Sequence, residues 1–190
     1  KLSSKFSYLN FTAPDVIEVG ASTPDKKIAD FALKHSLTGL EFLACIPGSI
    51  GGAIRMNSGC FGQEISQVLH SIEAIDLTGN KKNISSSDIN FYYRGCSLDS
   101  NLIITSVNLL GKPFQKEEIQ KKQESFIEQK KSAQPRQVKT CGSTFKNTQN
   151  KKAWELIKES NCQNLQVGNA KVSDQHCNFF INEGNATAKD

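Results

Sequence analysis

Ile46-Pro47-Gly48-Ser49-Ile50-Gly51-Gly52-Ala53-Ile54-Arg55-Met56-Asn57-Ser58-Gly59 is the stretch whose reading decides the fold. Four glycines fall within twelve positions, 48 to 59. Glycine has no side chain and takes positive φ readily. Backbone amides there can converge on an anion or lie against a flat ring. Ser49, Asn57 and Ser58 add short polar groups, while the isoleucines and Ala53 make the wall apolar. That mixture suits a dinucleotide cofactor, with its charged diphosphate and planar ring. On glycine content alone, a tight buried turn fits as well. No Gly-Lys-Ser/Thr follows, so this is not a Walker loop, and the spacing is not GxGxxG.

Outward from this stretch the chain reads as mixed α and β. Upstream, Leu2 to Leu9 and Val16 to Ala21 read as strands. Thr23-Pro24-Asp25 reads as a helix start, with a capping hydroxyl, a proline at the first helical position and an acid in the first turn. Ile28, Phe31 and Ala32 give that helix an apolar face, and Gly39 stands where a left-handed cap would end it. Downstream, Val68 to Leu77 and Leu102 to Leu110 have strand length and pattern, with a turn at Thr78-Gly79-Asn80. Gly111-Lys112-Pro113 reads as a boundary. Beyond it, Glu117 to Ser132 predicts a charged helix with a thin stripe of Ile119, Phe126 and Ile127, ended at Pro135. Its charges read as a solvated face. Ala153, Leu156 and Ile157 mark a short helix, and Gln166 to Val172 and Cys177 to Ile181 read as strands.

The composition excludes several classes. At 37% hydrophobic and 22% charged residues, the 190-residue chain is neither disordered nor membrane-embedded. The longest apolar run, Leu40 to Ile46, is far too short to cross a bilayer. Lys1 to Asn10 has no signal-peptide pattern. A net charge of +4 is too mild to argue for nucleic acid. Six cysteines at 45, 60, 96, 141, 162 and 177 have no zinc spacing. They read as reduced thiols in a cytoplasmic protein, most of them small buried side chains.

Three further segments carry candidate chemistry. In Phe91-Tyr92-Tyr93-Arg94-Gly95-Cys96-Ser97, an arginine behind aromatics offers a rigid planar fork for a carboxylate or enol oxygen; a structural arginine that caps a carbonyl fits too. In Thr140-Cys141-Gly142-Ser143-Thr144-Phe145-Lys146-Asn147, a serine after glycine exposes a hydroxyl that can give a proton to a carbanion. It lacks the Gly-x-Ser-x-Gly elbow of a hydrolase, and no nucleophilic triad is read. Val167 to Asn182 alternates polar and apolar residues. His176 beside Cys177 reads as structural, because adjacent side chains of an extended chain diverge and make poor metal geometry.

Taken in order, these segments resemble the MurB family of UDP-N-acetylenolpyruvoylglucosamine reductases. Gly39-Leu40-Glu41-Phe42 into Ile46 to Ala53, then Met56-Asn57-Ser58-Gly59-Cys60-Phe61-Gly62, resemble its flavin-contacting loop. Tyr93-Arg94 resembles its arginine motif. Gln134-Pro135, Gly142 to Asn147 and Val172-Ser173 with His176 and Asn178-Phe179 resemble its substrate-domain signatures, and Gly184 to Asp190 its late loop. The sequence departs at Gly95-Cys96, where the family often has an acid or small residue and then serine. Thr148 stands where proline is common.

The resemblance implies an α+β fold. Residues 1–112 would be the second lobe of a PCMH/VAO-type FAD-binding domain, and residues 113–190 a small α/β substrate-binding domain. It implies FAD as cofactor, NADPH as co-substrate and no metal. The reaction implied is reduction of UDP-N-acetylglucosamine enolpyruvate to UDP-N-acetylmuramate for peptidoglycan synthesis, and hence for cell shape and division. The implied protein is a cytoplasmic monomer without nucleic-acid or membrane partners. Ser143 would protonate the substrate α-carbon, and Arg94 would pair with the substrate carboxylate. Ser49, Gly51, Gly52, Asn57 and Gly59 would line the flavin. The expectation is that Ser143 and Arg94 flank one cleft floored by residues 47–59.

The family's diphosphate loop would lie before Lys1 and its catalytic glutamate after Asp190, so the chain reads as incomplete. It resembles the shorter subgroup, which lacks a substrate-covering tyrosine loop. Two other readings stay open: another flavoprotein oxidoreductase of the same architecture, and a non-catalytic nucleotide-sugar-binding remnant. A different substrate domain would mark the first. Gene context and turnover would separate out the second.

Overall fold

The computed structural model describes residues 2–135 and 137–190. In chain order the strands and helices of the first half are β1 (Leu9–Ala13), β2 (Val16–Gly20), α1 (Asp25–Lys34), β3 (Leu37–Thr38), α2 (Ile50–Arg55), β4 (Gly59–Cys60), β5 (Gln63–Glu64), β6 (Leu69–Ile75) and β7 (Lys81–Ser85). There follow β8 (Phe91–Tyr92), β9 (Gly95–Cys96), β10 (Ile103–Leu110), β11 (Lys112–Pro113), α3 (Lys116–Ala133), α4 (Ala153–Glu159), β12 (Gln166–Val167), β13 (Ala170–Val172) and β14 (Phe180–Asn182). The chain forms two compact units, residues 1–127 and 128–190, dividing within α3.

The first unit is built on an antiparallel sheet of order β1-β2-β10-β6-β7. Period-2 alternation gives it two unlike faces. Val19 stands opposite Val107, Val107 opposite Ile72, and Ile72 opposite Ile84. One residue over, Glu18 stands opposite Asn108, and Asn108 opposite Ser71. The apolar rows join Ile28, Leu40, Phe42, Leu43, Ile50 and Ile54 in one core. Glu41 is buried in the 3-10 turn Glu41–Cys45 and is fully engaged. It accepts from Thr38 Oγ1, the Gly39 N–H and Lys122 Nζ. With Ile119 buried, Gln123 bonded to Asp30, and Phe126 stacked on Phe61 at 4.8 Å, this pair holds the start of α3 to the sheet domain.

The second unit contains α4 and the small antiparallel sheet β12-β13-β14. Its buried apolar side chains include Ala153, Val172, Cys177, Phe179 and Ile181.

Several local expectations are corrected. Leu2 to Leu9 is no strand: Ser4–Phe6 forms a 3-10 turn because the Phe6 carbonyl turns to accept the Ser22 N–H. Thr23 does not cap α1, since its hydroxyl donates to the Tyr8 carbonyl and Pro24 takes the cap position. The left-handed residue just past α1 is Ser36, with φ 58°, and not Gly39. The expected strand Gln166 to Val172 is a hairpin that reverses at Gly168-Asn169. Cys177 and Asn178 lie in a turn closed by the Phe179 N–H on the His176 carbonyl, so β14 begins only at Phe180. Of the six thiols only Cys45 and Cys177 are buried, and Cys141 is exposed.

Candidate active site

The glycine-rich stretch is less of a loop than its composition predicts. Ser49 is extended, and Ile50–Arg55 closes into the short helix α2. The first amides of α2 are already spent inside the fold: Ile50 N–H donates to Thr23 O and Gly51 N–H to Ala21 O. These two amides are not free to join an anion nest. Gly52 is exposed, and a β-carbon there would meet nothing within 4 Å. Bare backbone at Gly52 is therefore open to a neighbouring group.

The remaining glycines and Asn57 are held for packing reasons. A β-carbon at Gly51 would stand 3.0 Å from Ala21 O. Asn57 is buried with φ 41°, and its Oδ1 accepts the Ser66 N–H at 3.1 Å. At Gly59 a β-carbon would meet Gln63 O at 2.3 Å and Glu64 Cβ at 2.8 Å, because β4 and β5 cross there. Gly59→Ala is expected to lower stability by about 1–3 kcal/mol through this clash. A melting curve unchanged from the parent would show that β4 and β5 do not approach this closely.

Arg94 occupies the turn of the β8–β9 hairpin with φ 56°, an uncommon backbone for a branchless cationic residue. The Tyr93 ring centre is 6.0 Å from its guanidinium carbon. Gly95 is buried, with no room for a β-carbon against the Tyr92 ring. β9 packs against α2, and Arg55 of α2 donates to the Leu98 and Leu102 carbonyls. Within the first unit, the fold therefore brings the arginine hairpin and the glycine-rich helix together.

Ser143 stands in the second unit. Gly142 before it has φ 85°, and Ser143 forms an isolated antiparallel bridge with Phe179. The next two residues are clamped by buried Asn178. Thr144 N–H donates to the Asn178 carbonyl at 2.9 Å, and Phe145 N–H to its Oδ1 at 3.0 Å. Asn178 Nδ2 returns a bond to the Phe145 carbonyl at 3.0 Å. Sequence reading did not single out this clamp, which joins residues 33 positions apart. Asn147 Oδ1 caps α4 through the Ala153 N–H. His176 is structural: its Nδ1 accepts the Asn178 N–H, its ring meets Phe179 edge-on, and burial lowers its pKa.

The same unit has an open cleft of about 690 Å³, with Lys139, Lys171, Gln175, Asn182 and Glu183 among its lining and Ser143 outside it. The Lys171 ammonium is held by Glu183 at 2.6 Å and Asp174 at 3.3 Å. Among the described residues no group of three or more His, Cys, Asp or Glu is placed to hold a metal. No described helix is long and apolar enough to cross a membrane.

Known proteins match over the whole chain. Residues 5–85 match an FAD binding domain model, and residues 134–190 match the C-terminal domain of UDP-N-acetylenolpyruvoylglucosamine reductase. The crystal structure of that reductase (MurB) from Thermus caldophilus superposes with a TM-score of 0.90 at 33% identity, covering 100% of this chain and 69% of that one.

The chain belongs to the MurB family.

Reductases of Orientia tsutsugamushi (strain Ikeda) and Pelagibacter ubique (strain HTCC1062) are 46% and 45% identical, each over all of this chain. The chain spans 64% of the length of these relatives. Family membership also accounts for the α+β class: an antiparallel sheet flanked by helices, then a smaller unit of helix and sheet.

Proposed function

We propose that this protein is an FAD- and NADPH-dependent oxidoreductase that reduces UDP-N-acetylglucosamine enolpyruvate to UDP-N-acetylmuramate in peptidoglycan synthesis. The observation that carries this reading is that likeness to reductases extends through both units, including the segment around Ser143. A flavoprotein of the same cofactor domain but other chemistry would differ in the second unit.

When bound, the flavin would supply hydride, taken from NADPH, to the enolpyruvyl β-carbon. The residues of this chain then have separate tasks. Ser49 and the bare backbone at Gly51 and Gly52 are the surface for the flavin ring, with Asn57 and Gly59 shaping the turn behind it. The Arg94 fork pairs with the substrate carboxylate and stabilises the negative charge that builds there. Ser143 gives its hydroxyl proton to the α-carbon. Residues 1–112 would serve the cofactor and 113–190 the substrate. A cytoplasmic monomer without nucleic-acid or membrane partners completes the reading.

The test is spectroscopic. The full-length protein is expected to purify yellow, to bleach with NADPH, and to recover its colour on adding the enolpyruvyl nucleotide. A protein that takes up flavin and bleaches but is not reoxidised by that nucleotide would point to another flavoprotein activity. A colourless protein that still retains the nucleotide sugar would point to a binding remnant.

A further inference from the structure

Asp25 opens α1, yet its side chain is 0% exposed. Neither carboxyl oxygen has a hydrogen-bond partner among the described residues. A buried carboxylate with no partner is among the costliest groups a fold can hold, and such an exception calls for an explanation.

Its neighbours locate it under the candidate flavin turn. The Asp25 N–H donates to the Gly48 carbonyl at 3.2 Å, Pro24 bridges Ser49, and the Ile50 N–H donates to Thr23 O at 3.1 Å. Asp25 Oδ2 is 3.6 Å from where a β-carbon on Gly48 would stand, and Gly48 has φ 147°, which side chains rarely adopt. The Pro47–Ser49 turn is thus seated directly on the carboxyl group.

Among the described residues no charged side chain is in place to stabilise an anion there. Residues 21–24 and 46–49 have no titratable side chain. On α1 itself Lys26 and Lys27 are exposed, and Asp30 is bonded to Gln123. From the 3-10 turn packed against α1, Glu41 is engaged with Thr38, Gly39 and Lys122, and Cys45 is a buried thiol. Burial, with no charged neighbour contributing, pushes the Asp25 pKa up to about 7.

We propose that Asp25 is a proton-operated latch for the Pro47–Ser49 turn. As a neutral acid it lets the turn seat over it. As a carboxylate it lifts the turn until water or backbone N–H groups reach its oxygens. Asp25 is then a positioning residue, acting on the site through Gly48 and not by touching a ligand. The latch rests on the turn alone; its consequence for flavin binding rests on the proposed function.

The sign is unusual for an acid. Between the ordinary pKa of 3.8 and about 7, the folded chain keeps a proton that the unfolded chain has released. Stability is therefore highest at the acid end of this window, falls as pH rises through it, and levels off above it.

The experiment is a carbon-detected NMR titration of side-chain carboxyls on the full chain, wild type beside Asp25→Asn, with the Gly48 and Ser49 amides followed in parallel. The expected result is an Asp25 carboxyl titrating near pH 7, with both amides shifting at the same midpoint. In Asp25→Asn, which is neutral and of the same shape, the amide transition disappears. An Asp25 titrating near pH 4, or amides unmoved across the range, overturns the latch. If Asp25→Asn does not fold, the wild-type titration decides alone. A latch that titrates as expected in a protein that never binds flavin sinks the functional reading and leaves the latch standing.

Discussion

Ser143→Ala is expected to slow turnover by about 10²–10⁴-fold in the flavin-loaded enzyme, the range a positioned proton donor supplies. The substitution removes one hydroxyl and leaves the backbone that fixes the segment intact: the bridge to Phe179, the left-handed Gly142 and the Thr144 bond to Asn178 are all main-chain features of this site. Folding and flavin binding should survive. The two half-reactions separate the claim from a general loss of function. Flavin reduction by NADPH does not need the donor and should keep its rate, while reoxidation by the enolpyruvyl nucleotide should slow by the full factor. Reoxidation at the parental rate would remove Ser143 from the chemistry and leave it a structural residue.

The second large effect is expected at Asn178, where the side chain makes a two-way bond with the Phe145 backbone. Asn178→Ala strips the partner from one N–H and one carbonyl in a part-buried setting. Each unmade bond costs on the order of 1–3 kcal/mol when water cannot replace it. Exposure of Phe145 softens this, so a loss of about 2 kcal/mol is expected in urea denaturation. Turnover should fall with it, because the segment bearing Ser143 loses its anchor. Asn178→Asp keeps the acceptor and loses the donor, and should fall between parent and alanine on both measures. If alanine at 178 matches the parent in stability, the clamp is not what orders residues 143–145.

Much of the first unit is legible because its signals are local. The strands β2, β6 and β10 and the helix α3 were expected within a residue or two from alternation and helical spacing, since each repeats a pattern of period 2 or 3.6 that burial enforces. Expectations failed where a distant carbonyl or hydroxyl took precedence. Phe6 curls to reach Ser22, Thr23 turns to Tyr8, and Gly168-Asn169 reverses what reads as one continuous strand. The glycine-rich stretch is special in composition, but the amides of Ile50 and Gly51 belong to Thr23 and Ala21.

By itself, then, the order of residues determined the α+β class, the main helices and strands, and the motifs that place the chain in its family. Those properties depend on spacing along the backbone and on steric limits within a few residues. Tertiary structure alone decided that Asn178 clamps the Ser143 segment, that α2 backs the Arg94 hairpin, and that an acid at a helix start lies sealed beneath Gly48. Such pairings form between groups far apart in the chain, where desolvation and hydrogen-bond geometry, and not local propensity, set the outcome.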